Sequence, residues 1–234
     1  MRTDIVIPHY GEDSYKDRLL ESLKTEYLLN LFVIDNNIVN RGFTWAVNAG
    51  IRKSQSEFIW ILNNDAVVTP GALLALEKRM DENSKCGIVT SKICEFENPD
   101  RIVFGGALNV LPGIHKAGWE SAGDLAKPTR ERWVTFCSVL LRQKMIREIG
   151  LLDENFWLIC SDSDYCFTAR HRCWEIWYEP TSKVLHPEKH GISRVVSETR
   201  DEKFMAIMAD DQRKFIEKWT GGRFKDLELE RFED

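Results

Sequence analysis

The stretch Phe58-Ile59-Trp60-Ile61-Leu62-Asn63-Asn64-Asp65-Ala66 decides the fold class. Five large apolar residues without polar alternation predict a central strand covered on both faces, as parallel strands of α/β sheets are. The run stops at three polar residues. Open α/β sheets bind ligands outside the carboxyl ends of their strands, so Asp65 is a site candidate by position. The alternative is that this Asx cluster turns the chain and caps a helix starting near Pro70.

The flanking segments repeat the same design. Residues 5–8 form an apolar strand opening into His9-Tyr10-Gly11, and Leu19, Leu20, Leu23 and Tyr27 recur at helical spacing. Residues 31–34 form the next strand, ending at Asp35-Asn36-Asn37, where Asp35 either accepts a hydrogen bond from a base or ribose or makes an Asx turn. Residues 40–51, NRGFTWAVNAGI, predict a helix with one thin side, built from Ala46, Ala49 and Gly50 and packed close to what lies beneath it. Asn48 is a poor helix former and is expected to reach into a site. Arg41 is placed either to meet a phosphate or to sit solvated on the surface. A helix from Pro70 to Met80 and a strand over 87–93 continue the alternation, which gives the α/β class.

From Cys94 the texture changes to short apolar pieces punctuated by Gly and Pro, with residues 121–132 expected as loop and 133–141 as a strand. Residues 143–149 predict a short helix capped by Gly150. Ser161-Asp162-Ser163-Asp164 then opens a helix. One of its acids serves the helix start and the other points elsewhere, since residues two apart do not share a helix face. A carboxylate at a helix start in a cleft suits a general base. Short strands over 176–179 and 183–185 lead to His186 and His190, both open as metal ligands. Residues 197–220 place Phe204, Ile207, Met208, Phe215, Ile216 and Trp219 on one stripe, for packing against the domain, a partner or a membrane surface.

The 234 residues carry 29% charged side chains and a formal net charge of -5, which excludes the global basic field of nonspecific nucleic-acid binding. Six cysteines without a CxxC pair, and no signal peptide ahead of the first strand, point to free thiols in a reducing cytosol. No apolar run approaches the roughly 20 residues of a membrane span.

Taken in order, VIDNN, NRGFTWAVNAGI, FIWILNNDA, GLLDENFW, SDSDYCFTARHRCW and VLHPEKHG resemble a family 2 glycosyltransferase of the GT-A fold, of the rhamnosyltransferase-like bacterial polysaccharide type. The resemblance implies one GT-A domain over 1–234. It has a Rossmann-like, mostly parallel sheet with helices on both faces and a smaller mixed acceptor-side subregion. Residues 1–94 would form the nucleotide-sugar half, 95–195 the acceptor and catalytic half, and 196–234 a helical tail. It implies a nucleoside-diphosphate sugar donor (UDP or dTDP), Mg²⁺ or Mn²⁺, and inversion during transfer to a glycan or lipid-linked acceptor in the cytoplasm. The tail stripe leaves room for peripheral membrane contact and a homodimer. By resemblance Asp65 and His186, with His190 as competitor, bind the metal, and Asp162 is the general base. Pro8, Tyr10, Asp35, Arg41, Asn48, Asn63 and Asn64 line the nucleotide side. Ser161 stands where the family usually has Glu. A non-catalytic nucleotide-sugar-binding module scaffolding a polysaccharide assembly is the alternative.

Overall fold

The computed structural model describes residues 2–26, 30–110, 113–123, 125–187 and 201–220. His190 and Tyr27 lie outside the described residues. The central sheet runs in the order β10-β12-β5-β11-β3-β1-β2. Here β1 is Thr3–His9, β2 Asn30–Asp35, β3 Phe58–Leu62 and β5 Cys86–Glu95, with β10 Thr129–Glu131, β11 Ser138–Arg142 and β12 Glu175–His186. β3 lies between β1, parallel, and β11, antiparallel. All five apolar residues of β3 are fully buried, as a strand covered on both faces requires. Because β11 is also antiparallel to β5, and β5 is parallel to β12, five strands (β1, β2, β3, β5 and β12) point the same way around one reversed strand.

The helices follow the apolar periodicity: α1 (Asp13–Ser22), α2 (Phe43–Ile51), α3 (Ala72–Glu82), α4 (Gln143–Ile149), α5 (Ser161–His171) and α6 (Glu202–Thr220). The thin side of α2 packs as expected: a Cβ at Gly50 would meet the side chain of Val6 on β1. Gly150 ends α4 at φ 88°, a backbone conformation that glycine adopts without a Cβ clash.

Four segments differ from the expectation. The strand foreseen over 133–141 begins only at Ser138; Trp133, Val134 and Phe136 are buried, but in irregular backbone that reaches the ligand edge. The two strands foreseen at 176–179 and 183–185 are one, β12, with a register shift between Glu179 and Lys183, where Pro180 offers no N–H to the ladder. The loop at 121–132 contains β10, paired antiparallel with β12. A two-residue strand, β4 (Val67–Val68), carried no periodicity signal at all; it pairs with Val184 and Leu185 of β12. Among the described residues, no helix is long and apolar enough to cross a membrane.

Candidate active site

The carboxyl ends of β1, β2, β3 and β12 all emerge at one edge of the sheet, above a cleft of about 900 Å³. β12 runs to that edge along β5, and β4 pairs with its last residues. Its pairing puts Val67 opposite Leu185, so His186 arrives beside Asp65 although 121 residues separate them in sequence. His186 Nε2 lies 3.1 Å from Asp65 Oδ1. That distance is within ion-pair range, yet the pair is not aligned as a hydrogen bond, and Asp65 Oδ1 is a buried oxygen without a hydrogen-bond donor. Burial is the largest influence on the His186 pKa and pulls it down, but the proximity of Asp65, through its charge and its polar contact, and the charge of Glu97 together leave it raised. A buried, undonated carboxylate oxygen facing an imidazole nitrogen has the donor chemistry that could hold a divalent cation. Among the described residues no cluster of three or more His, Cys, Asp or Glu surrounds it; phosphate or water oxygens could complete the shell of a cation here.

The Asx cluster does turn the chain, with Ala66 N–H donating to Asn63 O, but it caps no helix: α3 starts at Gly71 in a left-handed conformation. Asn64 ties two strand ends together. Its Nδ2 donates to His9 Nδ1 and to Tyr10 O, both at 3.0 Å. The other ring nitrogen, His9 Nε2, faces Asp13 Oδ1 at 2.9 Å and Asn37 Nδ2 at 3.2 Å.

On the opposite wall, Asp162 lies in the first turn of α5. The residue before the helix is Cys160, at φ 64°, so neither Ser161 nor Asp162 is the N-cap. Asp162 Oδ1 accepts from Ser163 N at 2.7 Å. Desolvation outweighs that bond and pushes the Asp162 pKa up to about 6. Asp164 points away, as the two-residue spacing requires: its carboxylate takes Trp219 Nε1 at 2.8 Å and Lys218 Nζ from α6. Of the tail stripe, Phe215 and Trp219 pack fully buried on this chain's own core, Phe204, Ile207 and Met208 are half-buried, and Ile216 is exposed.

Of the expected site residues, Pro8, Tyr10, Asn63, Asn64, Asp65, Asp162 and His186 all line this cleft. Three do not. Asn48 is fully buried in α2, its amide bonding the backbone N–H and C=O of Leu152 and Glu154 Oε1, so it joins α2 to the segment after α4. Its poor helix propensity reflects a long-range structural bond. Arg41 is exposed and lies over the Trp45 ring at 4.7 Å. Asp35 is exposed at the end of β2 and makes the Asx turn to Asn37 N at 2.9 Å. Sequence reading missed His9 and Asn36 as lining residues, and the aromatic walls Phe43, Phe136 and Trp157. The strand-end position shared with Asp65 would have found the first two. Phe43 is the first residue of α2, and Phe136 and Trp157 come from irregular backbone without periodicity.

The glycosyl transferase family 2 model matches residues 34–150, half of the chain, from the end of β2 through α4; it includes Asp65 and stops before Asp162. No curated protein matches significantly. GalNAc-T7 solved with UDP, GalNAc and Mn²⁺ superposes at a TM-score of 0.61 and 12% identity, over 96% of this chain and 53% of that one. S. aureus TarS 1-349 gives 0.54 and 12%, over 97% and 74%. The longer TarS structure gives 0.56 and 10%, over 97% and 45%. The chain therefore spans about half the length of GalNAc-T7, and identities this low speak for the fold alone. With half the sequence matched, and with the cleft at the carboxyl ends of a GT-A sheet, the chain belongs to glycosyl transferase family 2.

Proposed function

We propose that this chain is an inverting glycosyltransferase that moves a sugar from a nucleoside-diphosphate donor, UDP or dTDP, to a hydroxyl of a glycan or lipid-linked acceptor. Its setting would be cytoplasmic synthesis of a surface polysaccharide. The observation that carries this reading is the undonated Asp65 Oδ1 beside His186 Nε2, in the same cleft as a desolvated Asp162.

Asp65 and His186 would hold the cation, and the donor diphosphate would complete its shell, in keeping with two protein ligands. When bound, Mg²⁺ or Mn²⁺ supplies charge neutralisation to a departing diphosphate. Asn64 fixes His9 and the backbone of Tyr10, which shapes the floor on which the diphosphate would lie. Asp162 removes the proton of the acceptor hydroxyl as its oxygen attacks the anomeric carbon. With its pKa near 6 it is ionised at neutral pH and more basic than an ordinary carboxylate, the compromise that general-base catalysis favours. A single displacement of this kind inverts the anomeric centre and needs no protein nucleophile.

A thermal-shift screen of UDP, dTDP, GDP, CDP and ADP, each with and without Mn²⁺, tests the donor site. At 100 times its dissociation constant a ligand adds about 2.7 kcal/mol, a rise in Tm of roughly 5–10 °C for a chain of this size. One nucleotide should stabilise the wild type only with Mn²⁺ and should fail with Asp65→Ala. A screen in which no nucleotide stabilises the chain with metal overturns the proposal.

A further inference from the structure

The helix α6 stands outside the family match, yet it grips the backbone that leads into Asp162. Asp211, in the middle of α6, is 1% exposed. Its Oδ1 accepts from Trp157 N at 2.9 Å, and its Oδ2 accepts from Leu158 N at 2.8 Å and Ile159 N at 3.0 Å. Three consecutive amides therefore converge on one carboxylate. The next residue is Cys160, whose left-handed backbone is unfavourable for a residue with a Cβ and persists only where the surroundings over-determine it. From the other side, Trp157 O accepts Phe43 N at 2.8 Å, and the packing of Gly42 leaves no room for a Cβ against Trp157. One turn beyond Cys160, Trp219 and Lys218 of the same helix hold Asp164.

A buried carboxylate is a poor choice if α6 merely had to pack: an apolar residue at this position would avoid the desolvation that the three charge-assisted hydrogen bonds must offset. What the carboxylate adds is a single conformation for residues 157–160. That segment sets where α5 begins and hence where Asp162 stands. We propose that Asp211 is a positioning residue for the general base, so that α6 completes the transfer site although its carboxylate lies outside the cleft. The proposal rests on the reading of Asp162 given above.

The test uses the full chain and the nucleotide that the Mn²⁺ screen selects, with the matching UDP- or dTDP-glucose as probe donor. Release of nucleoside diphosphate is followed for the wild type, Asp211→Asn, Trp219→Phe and Asp162→Asn. Calorimetry gives nucleotide affinity with Mn²⁺, and hydrogen exchange reports the amides of 157–159. In Asp211→Asn the amide NH₂ faces an N–H donor, so the loop loosens. We expect kcat to fall about 10- to 100-fold, the scale of a misplaced catalytic group. Donor KM and nucleotide affinity should stay within about twofold, because Asp65, His186 and Asn64 sit on other elements, and exchange should rise at 157–159. Wild-type kcat in Asp211→Asn, or a parallel loss of nucleotide affinity and kcat, overturns the proposal. Should Asp211→Asn fail to fold, Trp219→Phe keeps most of the packing and removes one of the two α6 donors to Asp164, leaving Lys218. It should lower kcat at unchanged KM, and a wild-type kcat there also overturns the proposal. Asp162→Asn separates the two readings: if it turns over normally the base assignment falls, and if it alone is inactive only the role of Asp211 falls.

Discussion

Replacing Asp162 with asparagine should make the protein more stable and less active at once, and the pH dependence of the stability gain can be worked out from the structure. Burial moves this carboxyl from its ordinary 3.8 to about 6. At 1.36 kcal/mol per pKa unit the folded state then carries a penalty of order 3 kcal/mol when the group is ionised. The sign follows from proton counting: between the two values the folded chain binds more protons than the unfolded one, so stability falls as pH rises through that window. The penalty is complete above about pH 6 and absent below about pH 4. Asparagine keeps the acceptor for Ser163 N and removes the charge, at some desolvation cost of its own, so a gain of about 1–3 kcal/mol is expected at pH 8. This is roughly 3–10 °C in Tm for a chain of this length. Scanning Tm of both proteins from pH 4 to 8 should show a gap that is widest at pH 7–8 and closes by pH 4, while transfer falls about 10²- to 10⁴-fold. A gap that does not change with pH, or a variant no more stable at pH 8, would refute the claim of a desolvated carboxylate; undiminished transfer would refute its role as base.

Gly50→Ala should destabilise despite alanine's better helix propensity. The new Cβ would stand 2.8 Å from Val6 Cγ2 in a strand with no room to yield; overpacking of about 1–3 kcal/mol exceeds a propensity gain of about 1 kcal/mol. A Tm equal to wild type in a thermal melt would show that α2 can lift off β1. Asn48→Ala should strip the buried Leu152 N–H and C=O of their partners, at about 1–3 kcal/mol per orphaned group, with the Mn²⁺-dependent nucleotide affinity unchanged. Weakened nucleotide binding at unaltered stability would return Asn48 to the site.

The parts of this molecule that were legible in sequence are those with a local signal. A run such as residues 58–62 has one structural solution, and Gly50 and Gly150 announce a close approach and a helix end through the missing Cβ. Asp65 was legible because an acid stood where a buried strand stops. Asn48 does not line the cleft because its partner, the backbone of Leu152, could not be seen in sequence; for Asp35 and Arg41 the structure shows the alternatives that sequence had left open, an Asx turn to Asn37 and a surface position, there over the Trp45 ring. Asp211 did leave a trace. It falls four residues after Ile207 and four before Phe215, on the apolar stripe of α6, where a charge has no reason to be unless something buried needs it. Its partners, three amides more than fifty residues upstream, could be seen only in the fold.

The two-residue pairing of β4 with β12 also sets a condition on the order of folding. Asp65 belongs to the first third of the chain and His186 to the last quarter, and they meet where Val67–Val68 pairs with Val184–Leu185 and β12 runs along β5. A contact of such sequence separation carries a large loop-closure cost and is expected late, after the local strand-helix-strand units have formed. In the proposed function, cation capture by this pair would therefore report the docking of β12, and a nascent polypeptide that had built only its first four strands would lack one of the two proposed ligands.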